Sequence, residues 1–175
     1  ADGALGSRGA WLHEDYSDAP GLRGMAVTEP EQIRQIIFDG LQNDFQVCTH
    51  AIGDKANTVV LDFYEEAFAA HPDKAEDHRF RIEHAQHLIA EDIPRFAQLG
   101  VIPSMQAIHM SSDRPWAIQR LGIERIREGA YVWQKLMDAG AVVANGTDAP
   151  VEPLDPLPSF YASVSRKTLE GLPEE

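Results

Sequence analysis

Apolar residues in this chain alternate between two patterns. Short apolar runs of strand length are separated by stretches whose apolar residues recur at helical spacing. Ile33, Ile36, Ile37 and Leu41 form the first helical stripe, and Thr28-Glu29-Pro30-Glu31 precedes it with Thr as N-cap and a proline and acids in the first turn. Val59, Val60, Phe63, Ala67 and Phe68 mark a second helix, opened by Gly53-Asp54 and ended by His71-Pro72-Asp73. A third covers 90–99 and stops at Gly100. Ser111-Ser112-Asp113 reads as the cap of a short helix over 114–120, and Val132, Trp133, Leu136 and Met137 lie on a helix over 130–139 that Gly140 stops. After a proline-rich stretch comes a helical segment with Phe160, Tyr161 and Val164. The strand-like runs are 45–49, 79–83, 101–105 and 141–146. Helix and strand thus alternate through four units, which predicts an α/β fold with a parallel sheet and crossover helices. Four units suit half of an eight-stranded barrel or a small doubly wound sheet, and no Gly-rich phosphate loop follows any strand to favour the latter. Residues 1–28 read as irregular, rich in Gly, Asp and Ser.

Three of the runs end in a residue able to do chemistry: His50, His84 and Asp148. At the C-terminal ends of parallel barrel strands such residues converge on one face. Two imidazoles and a carboxylate there are the parts of a hydrolytic metal site. Each also has a plainer reading. His50 and His84 could be hydrogen-bonded structural histidines, and Asp148 an Asx-turn or helix cap. Side chains alternate along a strand, so if His84 faces the barrel mouth, Glu83 faces the helices or an adjacent strand, in reach of Arg79 or Arg81. His87 lies past the strand and reads as structural or on a pocket rim. Gln106 and His109 follow the third strand and are candidates for substrate contact, as are Arg8 and, more weakly, Tyr16, Tyr131 and Trp133. His13, His71 and His78 fall in loops and are expected to be solvated.

Composition narrows the class. The chain has 175 residues, 43% apolar and 25% charged, enough for one soluble domain with a real core. A formal net charge of −13 repels phosphate backbones and argues against nucleic acid as a partner. No apolar stretch approaches the roughly 20 residues of a membrane span. The single cysteine, Cys48, excludes an internal disulfide framework and is expected to pack as a small apolar residue in a buried strand. No basic segment followed by an apolar one opens the chain, so a cytoplasmic location is expected. Both ends stop without an anchoring element, as in a piece of a longer protein.

Four motifs occur in order: Asp2-Gly3-Ala4-Leu5-Gly6-Ser7-Arg8, His50-Ala51-Ile52-Gly53-Asp54, Arg81-Ile82-Glu83-His84-Ala85-Gln86 and Gly146-Thr147-Asp148-Ala149-Pro150-Val151. Together they resemble the YtcJ-like branch of the amidohydrolase superfamily, amidohydrolase family 3, which includes N-substituted formamide deformylases. The resemblance covers residues 1–166. It implies a metal-dependent hydrolase (β/α)8 barrel, a TIM barrel, of which residues 1–175 supply about the second half, strands 5 to 8, truncated at both ends. His50 and His84 would be the metal ligands on strands 5 and 6, and Asp148 the strand-8 residue, both ligand and catalytic. The family's His-x-His pair occurs nowhere in this chain, and its strand-4 lysine would fall before Ala1. The implied cofactor is a divalent metal, zinc, as one or two ions, and the isolated segment is expected to be inactive.

The function so implied is hydrolysis of carbon–nitrogen bonds other than peptide bonds, in small amide, N-acyl or N-formyl substrates, by metal-activated water. The competing reading is a non-catalytic, barrel-derived binding or structural module without a complete metal site. In either case the missing half-barrel leaves apolar strand edges exposed, which favours self-association into a homo-oligomer.

Overall fold

The computed structural model describes residues 1–172. Four parallel strands, β1 (Cys48–Ala51), β2 (Arg81–His84), β3 (Ile102–Met105) and β4 (Ala144–Asn145), lie side by side in chain order. Helix α1 (Pro30–Gln42) precedes β1. Helices α2 (Asp54–Ala70) and α3 (Ile93–Leu99) make the next two crossovers, α4 (Ile108–Gly129) and α5 (Trp133–Asp138) share the third, and α6 (Pro156–Ser165) follows β4. The strand order never doubles back, as a doubly wound sheet requires at its switch point. The fold is therefore a parallel α/β sheet of the kind that forms part of a (β/α)8 barrel.

Burial alternates across the strands as the pleat dictates. Thr49 and Ala51, Ile82, and Pro103 and Met105 are buried on the face the helices cover. Cys48 and His50 occupy the opposite face, in register with Arg81 and Glu83. Cys48 is accordingly exposed, not packed as the apolar run suggested: the run is half a residue pattern too generous, because the strand starts at Cys48 and shows its first side chain to the open face. On the covered face, Tyr64 of α2 crosses both strands, its hydroxyl donating to the Arg81 carbonyl and hydrogen-bonded to the Thr49 hydroxyl, both at 2.8 Å. Phe80 lies 5.1 Å from the Tyr64 ring, and Phe96 from α3 is fully buried nearby in the same core.

The predicted helices exist, with boundaries moved by tertiary contacts. Helix α1 begins at Pro30 with Glu29, not Thr28, as N-cap, and the proline sits where its missing N–H costs nothing. It buries Ile33, Ile37 and Leu41 and leaves Ile36 exposed. In α2 the deepest residues are Val60, Leu61 and Tyr64, while Val59 and Phe63 are only half-buried. Residues 108–129 form one long stretch broken at Gly122, whose φ of 77° lies outside the helical region, so Ser111-Ser112-Asp113 is inside α4 and caps nothing. Strand β4 shrinks to two residues and Val142 is exposed. Among the described residues no helix is long and apolar enough to cross a membrane.

Residues 1–28 are irregular yet anchored. Leu5, Leu12 and Tyr16 pack with Ile52, Ala117 and Leu121 in a second small core at the C-terminal end of β1. His78 was expected to be solvated. It instead stacks on Phe68 with ring centroids 4.0 Å apart, bonds the Leu99 carbonyl at 2.9 Å, and accepts the Phe80 N–H at 2.8 Å.

Candidate metal centre

The open end of the sheet is built around Asp2. Its carboxylate is buried and accepts the backbone N–H groups of Trp11 at 2.8 Å, Ile52 at 3.0 Å and Gly53 at 2.8 Å. This folds the N-terminal segment over the end of β1. A Cβ on Gly53 would lie 2.1 Å from the Trp11 carbonyl oxygen, so only glycine allows this crossing. Asp2 Oδ1 also stands 3.5 Å from His50 Nδ1, and the Ala1 nitrogen donates to the His50 carbonyl. The aspartate thus stands beside the His50 ring and fixes the loop that follows it. As an Asp-Gly pair in an irregular segment Asp2 reads as a turn; its partners lie far along the chain, which hides the role.

His84 ends β2, opposite Ala51. Its φ of 74° and that of Ala85, 43°, break the strand's alternation and turn the chain sharply. Glu83 stays on the open face beside His50 and pairs with Arg81 at 2.8 Å, while Arg79 pairs with Asp77. The His84 ring meets that of His50 at 4.7 Å, edge to face, and that of His109 at 5.7 Å. Beyond β4, Asp148 holds φ at 59°, and its Oδ2 is 3.0 Å from His109 Nε2. His84, His109 and Asp148 each offer one ligand atom, and these atoms lie within 4.8 Å of one another. His50, His84 and Asp148 thus stand at the ends of β1, β2 and β4, with His109, from the start of α4 after β3, between the last two.

The other candidates are engaged with partners of their own. Gln106 donates to the Ser104 carbonyl at 3.0 Å, and its Oε1 is buried without a partner among the described residues. Arg8 turns to Asp18 in a two-point ion pair of 3.1 and 2.9 Å. Tyr16 donates to the Ala10 carbonyl, and Trp133 lies under the Arg166 guanidinium. Tyr131 and Gln86 both donate to Asp113 Oδ2, at 2.5 and 2.9 Å, a buried network that ties the loop after β2 to α4. Burial pushes the Asp113 carboxyl up, and burial with the Asp113 charge pushes the Tyr131 hydroxyl up.

Residues 1–175 match a family model described as "Amidohydrolase family". The chain belongs to the amidohydrolase family. It is 41% identical over 165 residues to Protein LONG AFTER FAR-RED 3 of Arabidopsis thaliana, covering 94% of this chain and 28% of that protein. It is 40% identical over 168 residues to the putative amidohydrolase YtcJ of Bacillus subtilis, covering 96% of this chain and 31% of that one. Among solved structures, an uncharacterized metal-dependent hydrolase from Pyrococcus horikoshii superposes with a TM-score of 0.83 at 36% identity, over 94% of this chain and 32% of its own. One from Pyrococcus furiosus gives a TM-score of 0.80 at 36% identity, over 92% and 32%. The chain spans about a third of the length of the relatives it matches.

In this amidohydrolase segment the donor set fits a divalent cation. It is nitrogen and oxygen only, the set that borderline metals favour. The Nδ1 atoms of His50 and His84 are buried and make no hydrogen bond among the described residues, a cost that a bound cation would offset for whichever nitrogen faces it. Burial, then the adjacent His50 ring, pushes the His84 imidazole down to about 4, with Asp148 pulling the other way. At neutral pH His84 therefore offers a free lone pair, as a metal ligand must.

His87 is set apart from this group. It is buried against Tyr131, with its backbone N–H on the Ile52 carbonyl at 3.0 Å. Burial pushes its imidazole down to about 3, with Asp2 pulling the other way. The folded value lies below the unfolded one, so the unfolded chain binds the extra proton. The stability that His87 contributes is complete above about pH 6.5 and falls as pH drops toward 3. Urea midpoints measured from pH 7 to 4.5 should fall, and fall less steeply in His87→Gln.

Proposed function

We propose that the intact protein carrying this segment is a metal-dependent hydrolase of carbon–nitrogen bonds other than peptide bonds, acting on small amide, N-acyl or N-formyl substrates. The observation that carries this reading is the convergence of His84, His109 and Asp148, with their ligand atoms within 4.8 Å, beside the ring of His50. The metal-dependent hydrolases that this chain resembles support it. His50, His84 and Asp148 would hold the ion, and zinc suits that donor set. When bound, a divalent ion supplies Lewis acidity toward water and toward the substrate carbonyl.

The chain's own residues do the rest. Asp148, its side chain 30% exposed, is open enough to meet substrate and accepts the proton of the attacking water on its carboxylate. The same carboxylate then delivers that proton to the leaving nitrogen. The buried Asp2 fixes the loop after His50 through the Ile52 and Gly53 N–H groups, and the Gln86–Tyr131–Asp113 network holds the loop that follows His84. Gln106, whose buried Oε1 has no hydrogen-bond partner among the described residues, is the further candidate for substrate contact. Plasma mass spectrometry on the purified intact protein should find about one or two zinc ions per chain, and a panel of N-formyl and N-acyl amines should include a hydrolysed member. An intact protein without stoichiometric metal would overturn the reading.

A further inference from the structure

We propose that Glu152 is a positioning residue that fixes the Asp148 carboxylate through His109. The proposal rests on the reading of Asp148 as the proton-transferring group and adds the residue that aims it. The turn after β4 presents two carboxylates, Asp148 and Glu152, and closes on itself: the N–H groups of Val151 and Glu152 return to the Asp148 carbonyl at 2.8 and 3.4 Å. His109, on the first turn of α4, enters between them. Its Nε2 lies 3.0 Å from Asp148 Oδ2 and its Nδ1 lies 3.4 Å from Glu152 Oε1. One imidazole thus stands between the two carboxylates of one short turn, hydrogen-bonded at Nε2 to Asp148 and at ion-pair distance from Glu152 at Nδ1.

This arrangement is sheltered and braced. The His109 and Glu152 side chains are 11% and 16% exposed. Ser112, one residue short of a full turn further along α4, donates its hydroxyl to the same Glu152 oxygen at 2.6 Å. Helix α4 therefore holds both members of the pair, and the ring cannot swing away from Asp148 without breaking the contact to Glu152. The 3.4 Å separation is an ion-pair distance, and a shift of a few tenths of an ångström brings it into hydrogen-bond range, as positioned catalytic groups commonly do on binding. Without Glu152 the ring would be tied at Nε2 alone, and Asp148, on an exposed turn, would lose its fixed direction.

The test reads the clasp directly. In intact protein labelled with 15N-histidine, the His109 side-chain N–H proton is identified as the signal absent from His109→Gln. It should exchange slowly with water. Glu152→Ala should speed that exchange about tenfold or more, the size expected for loss of one hydrogen bond to a charged group. Glu152→Gln, which keeps an acceptor oxygen, should restore most of the protection. With cobalt(II) in place of zinc, Glu152→Ala should bind the same amount of metal while its visible absorption bands shift. Unchanged exchange in Glu152→Ala overturns the proposal, as does metal lost from Glu152→Ala and Glu152→Gln alike. If the protein binds no metal, the exchange measurement on the metal-free protein still decides the clasp, while the hydrolase reading alone fails.

Discussion

Under the proposed hydrolase reading, Asp148→Asn in the intact protein should lower turnover of an amide substrate by about 10²–10⁴-fold, the contribution typical of one positioned proton-transfer group. Asparagine keeps the shape and an oxygen that can still ligate an ion, so bound metal should persist. What it loses is the capacity to take a proton from water and pass it to the leaving nitrogen. Two features of the structure make this effect large. The carboxylate is partly solvated, so it can reach substrate, and it is held by His109 at 3.0 Å, so it does not have to be ordered during the reaction. The check is steady-state kinetics beside metal content for each protein. Retained turnover in a metal-replete Asp148→Asn variant would remove Asp148 from the chemistry.

His84→Ala should strip the metal. Losing a partner that only orients a ligand costs about 10–100-fold in metal affinity, so losing a ligand itself should cost more. His84 is central to the group: it is the ring adjacent to both His50 and His109, at 4.7 and 5.7 Å. It is also the imidazole whose neutrality at pH 7 is enforced by burial and by the neighbouring His50 ring. The positive φ at this position is carried by the backbone, so alanine inherits the strain while losing the ligand. Dialysed His84→Ala should retain well under the parent's stoichiometry when both are competed against a chromophoric chelator, with circular dichroism confirming the fold. Full metal content in the variant would place the ion elsewhere.

Much of this protein can be read along its length, and the limits are instructive. The helix and strand periods are local, because a buried stripe on α1 or α2 needs only spacing to be seen. Strand-end chemistry is equally local, since His50 and His84 sit at the ends of apolar runs and Asp148 just beyond one. Which way a side chain faces is less secure. Reading 45–49 as a buried strand puts Cys48 inside, but a strand covered on one face sends alternate residues outward. The capping role given to Ser111-Ser112-Asp113 failed for a related reason: packing of α4 against the loop after β2 and the turn after β4 extended the helix through them.

The sequence by itself determined the α/β alternation, the parallel sheet, the membership in a hydrolase family and the three strand-end residues. These depend on short-range periodicity and on motifs within a few residues. Only the tertiary structure decided that Asp2 shapes the His50 loop, that His109 stands beside Asp148, and that Glu152 flanks the same ring. Those contacts join residues 50, 39 and 43 positions apart or involve a backbone turned into an unusual conformation. No local pattern encodes such pairings. They are fixed when helices cover one face of the sheet and bring the ends of separate strands to a common edge.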